Sequence, residues 1–133
     1  MKTTGEIKDL LQKKELDSTL LDIYLDESRL DYQRQRYIDA LAKYEELYGA
    51  GDVSIFSAPG RSEIGGNHTD HQHGEVLAAS INLDAIAITA PVDEPVVRVV
   101  SDGYDMITVS LDDLAVKEEL KGTTDSLIRG VLE

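Results

Sequence analysis

The sequence predicts an α+β fold, with helices gathered in the first fifty residues and strands after Val53. Two observations carry this. Up to Tyr48 the apolar residues recur at three- and four-residue spacing, which is helical. From Val53 they alternate or run together between Pro, Gly and Asn, which is how strands read. The length, 133 residues, suits one compact domain and is too short for two ordinary ones.

Residues 6–13 place Ile7, Leu10 and Leu11 on one helical face. Asp17 or Ser18 is expected to cap a short second helix, with Leu20, Leu21, Tyr24 and Leu25 on one side. The clearest helix spans residues 28–48, where Tyr37, Leu41, Tyr44 and Tyr48 form one stripe and Gly49 supplies the stop. That stripe reads as a packed face with its hydroxyls at the rim. Residues 53–58 read as a strand broken at Pro59-Gly60. Residues 83–90 form an apolar run between Asn82 and Pro91, expected to be a strand buried on both faces. Residues 96–101 and 106–111 alternate like a hairpin turning at residues 102–105. Thr124 or Asp125 is expected to cap a last helix at residues 126–131, which carries no stop signal after it.

Composition narrows the function. Hydrophobic residues are 41% and charged residues 29%, as in a soluble globular protein. The net charge of −13 repels phosphate backbones and anionic lipid, so neither nucleic acid nor a membrane surface is an expected partner. The chain has no cysteine, which excludes disulfides and thiolate metal sites. The N-terminal stretch is charged and amphipathic rather than a signal peptide, and a cytoplasmic protein is expected.

Chemistry concentrates in one place. Arg61, Glu63, Asn67, His68, Thr69, Asp70, His71, Gln72 and His73 follow the first predicted strand, among Gly60, Gly65, Gly66 and Gly74. All three histidines fall within six residues. Glycines let backbone approach a ligand closely. No GxxxxGK[ST] loop or GxGxxG turn is present, and no G-x-S-x-G elbow. The HxxHxH spacing is poor for a metal and no metal site is expected; His71 and His73 read as surface residues. Carboxylate, amide and imidazole instead suit a polyol, whose hydroxyls donate and accept at once.

From residue 53 to residue 88 the chain resembles the galactokinases of the GHMP sugar-kinase family. Their signature reads G-R-x-N-x-I-G-E-H-T-D-Y, then a short spacer and G-x-V-L-P. Here Gly60-Arg61, Gly66, His68-Thr69-Asp70, Gly74 and Val76-Leu77 fall in that register. Asn67 stands where the family has Glu, Glu63 where it has Asn, Gly65 where it has Ile, His71 where it has Tyr and Ala78 where it has Pro.

The resemblance implies part of a GHMP-kinase N-terminal, sugar-binding domain over residues 51–133: a mixed β-sheet with helices, cut short at its C-terminal end. Residues 1–50 would be a helical N-terminal extension. It implies a parent enzyme that phosphorylates galactose at the anomeric hydroxyl with MgATP. Arg61 would be the catalytic, transition-state-stabilising residue. Asn67, His68, Thr69 and Asp70 would bind the sugar. ATP and Mg²⁺ would belong to the longer parent, since the family's Pro-x-x-x-Gly-Leu-Ser-Ser-Ser phosphate loop has no counterpart here. The 133 residues alone are therefore expected to be inactive, to bind no cofactor, and to self-associate through an unfinished core. A kinase for another sugar, such as an amino sugar or arabinose, and a non-catalytic sugar sensor are the alternatives within the family.

Overall fold

The computed structural model describes the backbone of all 133 residues and every side chain except that of Asp70. The chain divides into two units, Met1–Ala90 and Pro91–Glu133. In the first, a short strand β1 (Lys2–Thr3) leads into helix α1 (Thr4–Gln12). Helices α2 (Asp17–Tyr24) and α3 (Leu30–Tyr48) follow, then two long strands, β2 (Asp52–Gly65) and β3 (Leu77–Thr89). Their sheet has the order β1-β2-β3. The second unit pairs β4 (Val96–Val99) with β5 (Ile107–Ser110) and adds helix α4 (Thr124–Leu132).

The fold is α+β, but among the described residues every strand pairing is antiparallel, so the sheet is not mixed. The links explain this. β2 and β3 are joined by residues 66–76, and β4 and β5 by residues 100–106, as hairpins. Parallel strands need a longer crossover, usually through a helix.

Local chemistry sets the helix ends. Thr3 and Glu6 form a capping box on α1: the Thr3 hydroxyl accepts the Glu6 N–H at 3.1 Å, and the Glu6 carboxylate accepts the Thr3 N–H at 2.8 Å. Neither Asp17 nor Ser18 caps α2, because the helix already begins at Asp17 and Leu16 holds the cap position without a side-chain bond. A single 3₁₀ turn, Glu27–Arg29, precedes α3, and Gly49 ends it at φ 83°. Thr123, one residue earlier than expected, caps α4 by accepting the Ser126 N–H at 3.3 Å. Among the described residues no helix is long and apolar enough to cross a membrane.

One core joins the helices to the base of the hairpin within the first unit. Ile7, Leu11, Leu20, Tyr24, Tyr37, Leu41 and Val53 are buried together, with Ile55, Ile86 and Ile88 packed against them. Burying such aliphatic side chains stabilises by roughly 1.5–3 kcal/mol each. β3 is not buried on both faces. Asp84, Ile86 and Ile88 are half-buried at alternate positions, whereas Ala85 and Ala87 are exposed, because only one face of the pleat meets the helices.

β2 does not stop at Pro59-Gly60 either. The strand passes through them as an irregularity: Pro59 pairs with Asp84 and Arg61 with Ser80, so residues 81–83 stand opposite Gly60 alone. A Cβ on Gly60 would come within 3.2 Å of the Leu83 carbonyl and 3.3 Å of the Ile81 side chain. Proline, with no N–H to donate, is accommodated at such a break in the ladder. Beyond it the hairpin is mostly exposed.

A buried polar cluster holds this break. The Asp84 side chain is 3% exposed. It accepts from the Tyr24 hydroxyl at 2.8 Å, the Ser57 hydroxyl at 2.6 Å and the Arg36 guanidinium at 2.6 Å. Arg36 also donates to the Asp84 carbonyl at 2.8 Å. The Tyr24 and Tyr37 hydroxyls lie 2.9 Å apart, so the Tyr37 hydroxyl is buried in the network rather than set at a rim. The Asn82 amide donates to the Tyr24 carbonyl at 3.3 Å.

Burial raises the Asp84 pKa, but the bonds from Ser57, Arg36 and Tyr24 outweigh it and hold the carboxyl below its ordinary value. Burial first, and then the bonds to Tyr37 and Asp84, push the Tyr24 phenol far up. Removing one partner of such a cluster leaves buried groups unpaired. Asp84→Ala is expected to lower the unfolding free energy by about 2–4 kcal/mol in a denaturant titration. The depressed Asp84 pKa sets the sign with pH. Its stabilisation is complete above the unfolded carboxylate value of about 3.9 and is lost as pH falls through the lower native value. Wild type should therefore lose more stability than Asp84→Ala does below about pH 4.

Candidate functional site

The polar cluster read from the sequence lies at the far end of the β2–β3 hairpin. Arg61 and Glu63 are strand residues, paired with Ser80 and Ala78. They are two apart on β2, so period-two alternation gives them the same face. Arg61 is exposed and, among the described residues, has no hydrogen-bond or ion-pair partner. A second irregularity, between Glu63 and Gly65, ends the strand and starts the loop.

The loop folds back on itself. Gly66, Asn67 and His68 have φ of 110°, 53° and 54°. Glycine takes positive φ without cost, and asparagine tolerates it better than most residues. Thr69 then organises the turn: its hydroxyl donates to the Gly66 carbonyl at 2.8 Å, and its carbonyl accepts the Gln72 and Gly74 N–H groups at 2.9 and 2.8 Å. Asp70–Gln72 form one 3₁₀ turn. A Cβ on Gly74 would collide with the Thr69 hydroxyl, and one on Gly66 would lie 2.5 Å from the Glu75 carbonyl. Both positions are closed to any larger residue.

Glu63 braces the loop from the strand. Its carboxylate accepts the His68 backbone N–H at 2.5 Å, and its second oxygen lies 3.5 Å from His68 Nδ1. The His68 and His71 ring centroids lie 5.6 Å apart, with the rings tilted by 46°. Asn67 and His68 are exposed and Thr69 is half-buried. The structure thus brings Asn67, His68 and Thr69 together in one turn and puts Arg61 on the strand leading to it. The Asp70 side chain lies outside the described residues. Among the described residues no three His, Asp or Glu side chains gather as a metal site.

This arrangement offers a carboxylate-braced, glycine-closed turn with amide, imidazole and hydroxyl groups at the surface. Such a set can match the donors and acceptors of neighbouring sugar hydroxyls. It is a poor phosphate cradle, since the loop leads from strand β2 into strand β3 and not into a helix. A separate groove, lined by Ile7, Leu16, Ile23 and Ile55 among others, lies against the helices. It is mainly apolar and includes no residue of the loop.

Comparison with known proteins points at the same hairpin. The galactokinase galactose-binding signature matches residues 42–91. This stretch is similar to galactokinase sugar-binding sequence. It runs from the second half of α3 to just past β3, and so contains Arg61, the whole loop, Asn82 and Asp84. A galactokinase of Enterococcus faecalis is 30% identical over 79 residues, which are 57% of this chain and 20% of that protein. The chain thus spans about a fifth of the length of that relative. No solved structure matches it.

Within the galactokinase signature this chain exchanges two residues. The family has an amide at position 63 and a carboxylate at 67, and here Glu63 and Asn67 are reversed. The carboxylate has moved from the turn to the strand, where it holds the His68 N–H. The amide has moved to a position with φ 53°. The two departures together relocate one negative charge.

Because Gly74 sits against Thr69, Gly74→Ala should disrupt the turn without unfolding the protein. Backbone amide shifts of residues 66–76 are expected to change throughout, while the midpoint of chemical unfolding moves by less than about 1 kcal/mol in stability. An unaltered loop spectrum would contradict the packing described.

Proposed function

We propose that this chain is the sugar-contacting part of a galactokinase-like enzyme of the GHMP class, which moves a phosphoryl group from MgATP to the anomeric hydroxyl of galactose. The observation that carries the reading is an exposed guanidinium, Arg61, on the strand that enters a glycine-closed polar turn inside the galactokinase signature. In this reading Asn67, His68, Thr69 and Asp70 contact the sugar hydroxyls. Arg61 steadies the charge that develops as the anomeric oxygen meets the phosphoryl group. Glu63 positions His68 and does not itself meet the substrate.

The residues present do not fit a nucleotide. The loop has no adjoining helix N-terminus and the chain carries no phosphate-loop sequence. ATP and Mg²⁺ are therefore assigned to the remainder of a longer protein, and no step is derived through them here. Phosphoryl transfer is almost entirely positioning and charge stabilisation, so a part that lacks the phosphate site is inactive by itself.

Two measurements check this. An ADP-release assay with galactose and MgATP should show no turnover by these 133 residues, and turnover above background would place a phosphate site among them. In an enzyme containing this segment, Arg61→Ala should lower kcat by about a hundredfold or more with a much smaller change in KM. A change in KM alone would make Arg61 a binding residue only.

The relocated carboxylate favours a second reading, a kinase for an amino sugar or arabinose. Exchanging the pair back, as Glu63→Asn with Asn67→Glu, should alter the ratio of kcat/KM for galactose against those sugars by about tenfold or more. Flat ratios would show that position 67 does not face the discriminating hydroxyl.

A further inference from the structure

The signature hairpin has two arms that differ in their surroundings. The proximal arm, up to Pro59 and Asp84, packs against the helices, whereas the distal arm, which carries Arg61 and the loop, is mostly exposed. The arms meet where residues 81–83 stand opposite Gly60. A junction of this kind bends a strand and aims what lies beyond it.

The junction on β3 is tied to one helix end from within, at Asn82, and at its Asp84 edge. Asn82 donates to the Tyr24 carbonyl, and the Tyr24 hydroxyl donates to Asp84. Arg36 grips Asp84 twice, by side chain and by carbonyl. Ser57, on the opposite strand, completes the carboxylate's partners. Tyr24 and Arg36 lie outside the matched residues 42–91, and Asn82, Asp84 and Ser57 lie inside them. The helices thus reach into the signature at its hinge rather than at its loop.

We infer that Asn82 and Asp84 are positioning residues for the sugar loop: clamped by Tyr24 and Arg36, they fix the angle at which the distal arm presents Arg61 and residues 66–76. The inference rests on the sugar-binding reading of that loop. Asp84 touches no substrate in this scheme and acts through the direction of the strand. Gly60 is part of the same joint, since the bulge presses to within 3.2 Å of where its Cβ would stand.

The test uses this chain, with Asn82→Ala and Asp84→Asn as variants and Leu41→Ala as a control that loosens the shared core without removing a hydrogen bond of the joint. Asn82→Ala removes a single exposed tether and keeps the test usable if Asp84→Asn fails to fold. Amide shifts and residual dipolar couplings of residues 61–76 are recorded first without sugar, then through a galactose titration. The joint variants are expected to reorient the distal arm, seen as altered couplings there, and to weaken galactose binding about five- to tenfold. Leu41→Ala is expected to leave both unchanged at temperatures where it remains folded. Unaltered couplings in folded Asn82→Ala, or an equal effect in Leu41→Ala, would overturn the inference. Equal galactose affinity in wild type and Asn82→Ala would overturn it too. Altered couplings in a protein whose wild type shows no response to galactose would support the joint and overturn the sugar-binding reading instead.

Discussion

The Asp84 carboxylate is the point on which the first unit turns. A charge almost fully removed from water is costly unless it is paired and hydrogen-bonded, and Asp84 is both. Its partners come from α2, α3 and β2, three elements that apolar packing alone would let slide past one another. Hydrophobic burial of Leu11, Leu20, Leu41 and Val53 supplies the stability, while the carboxylate specifies one arrangement. Elsewhere the helices are pinned by further ion pairs. Lys8 bonds Glu45 at 2.5 Å between α1 and α3, and Arg34 bonds Asp17 at 2.6 Å between α3 and α2.

The helices were legible because a periodic apolar face needs only local information. Ile7, Leu11, Leu20, Tyr37 and Leu41, all in predicted faces, are core residues. The capping box at Thr3 and Glu6 is equally local, its T-x-x-E spacing plain in the sequence, and it starts the first helix two residues before the apolar face alone does. The strands were harder. Pro59-Gly60 has the composition of a breaker, but the ladder absorbs it by setting three residues of β3 against Gly60, which only the partner strand reveals. The apolar run at residues 83–90 looked doubly buried because alanine is silent about which face it occupies.

The candidate site was legible as a cluster and not as a geometry. Glycines with His, Asn, Thr and Asp between them marked the loop, and the galactokinase signature falls on the same residues. What no local pattern showed was the division of labour. Glu63 read as a departure from the signature, and the fold gives it a task, holding the His68 N–H at 2.5 Å. Tyr24, Arg36 and Asp84 carried no signal as a group, since they are scattered over sixty-one positions and meet only in the folded chain.

The central claim is that Tyr24 and Asp84 form one energetic unit joining the helices to the loop-bearing hairpin. A double-mutant cycle with Tyr24→Phe, Asp84→Asn and the double variant, each unfolded by urea near neutral pH, measures that coupling directly. The account predicts a coupling energy of about 1–2 kcal/mol, with the double variant markedly more stable than the sum of the single losses implies. Losses that add to within about 0.3 kcal/mol would show that the two residues act independently, and the carboxylate would not be the joint.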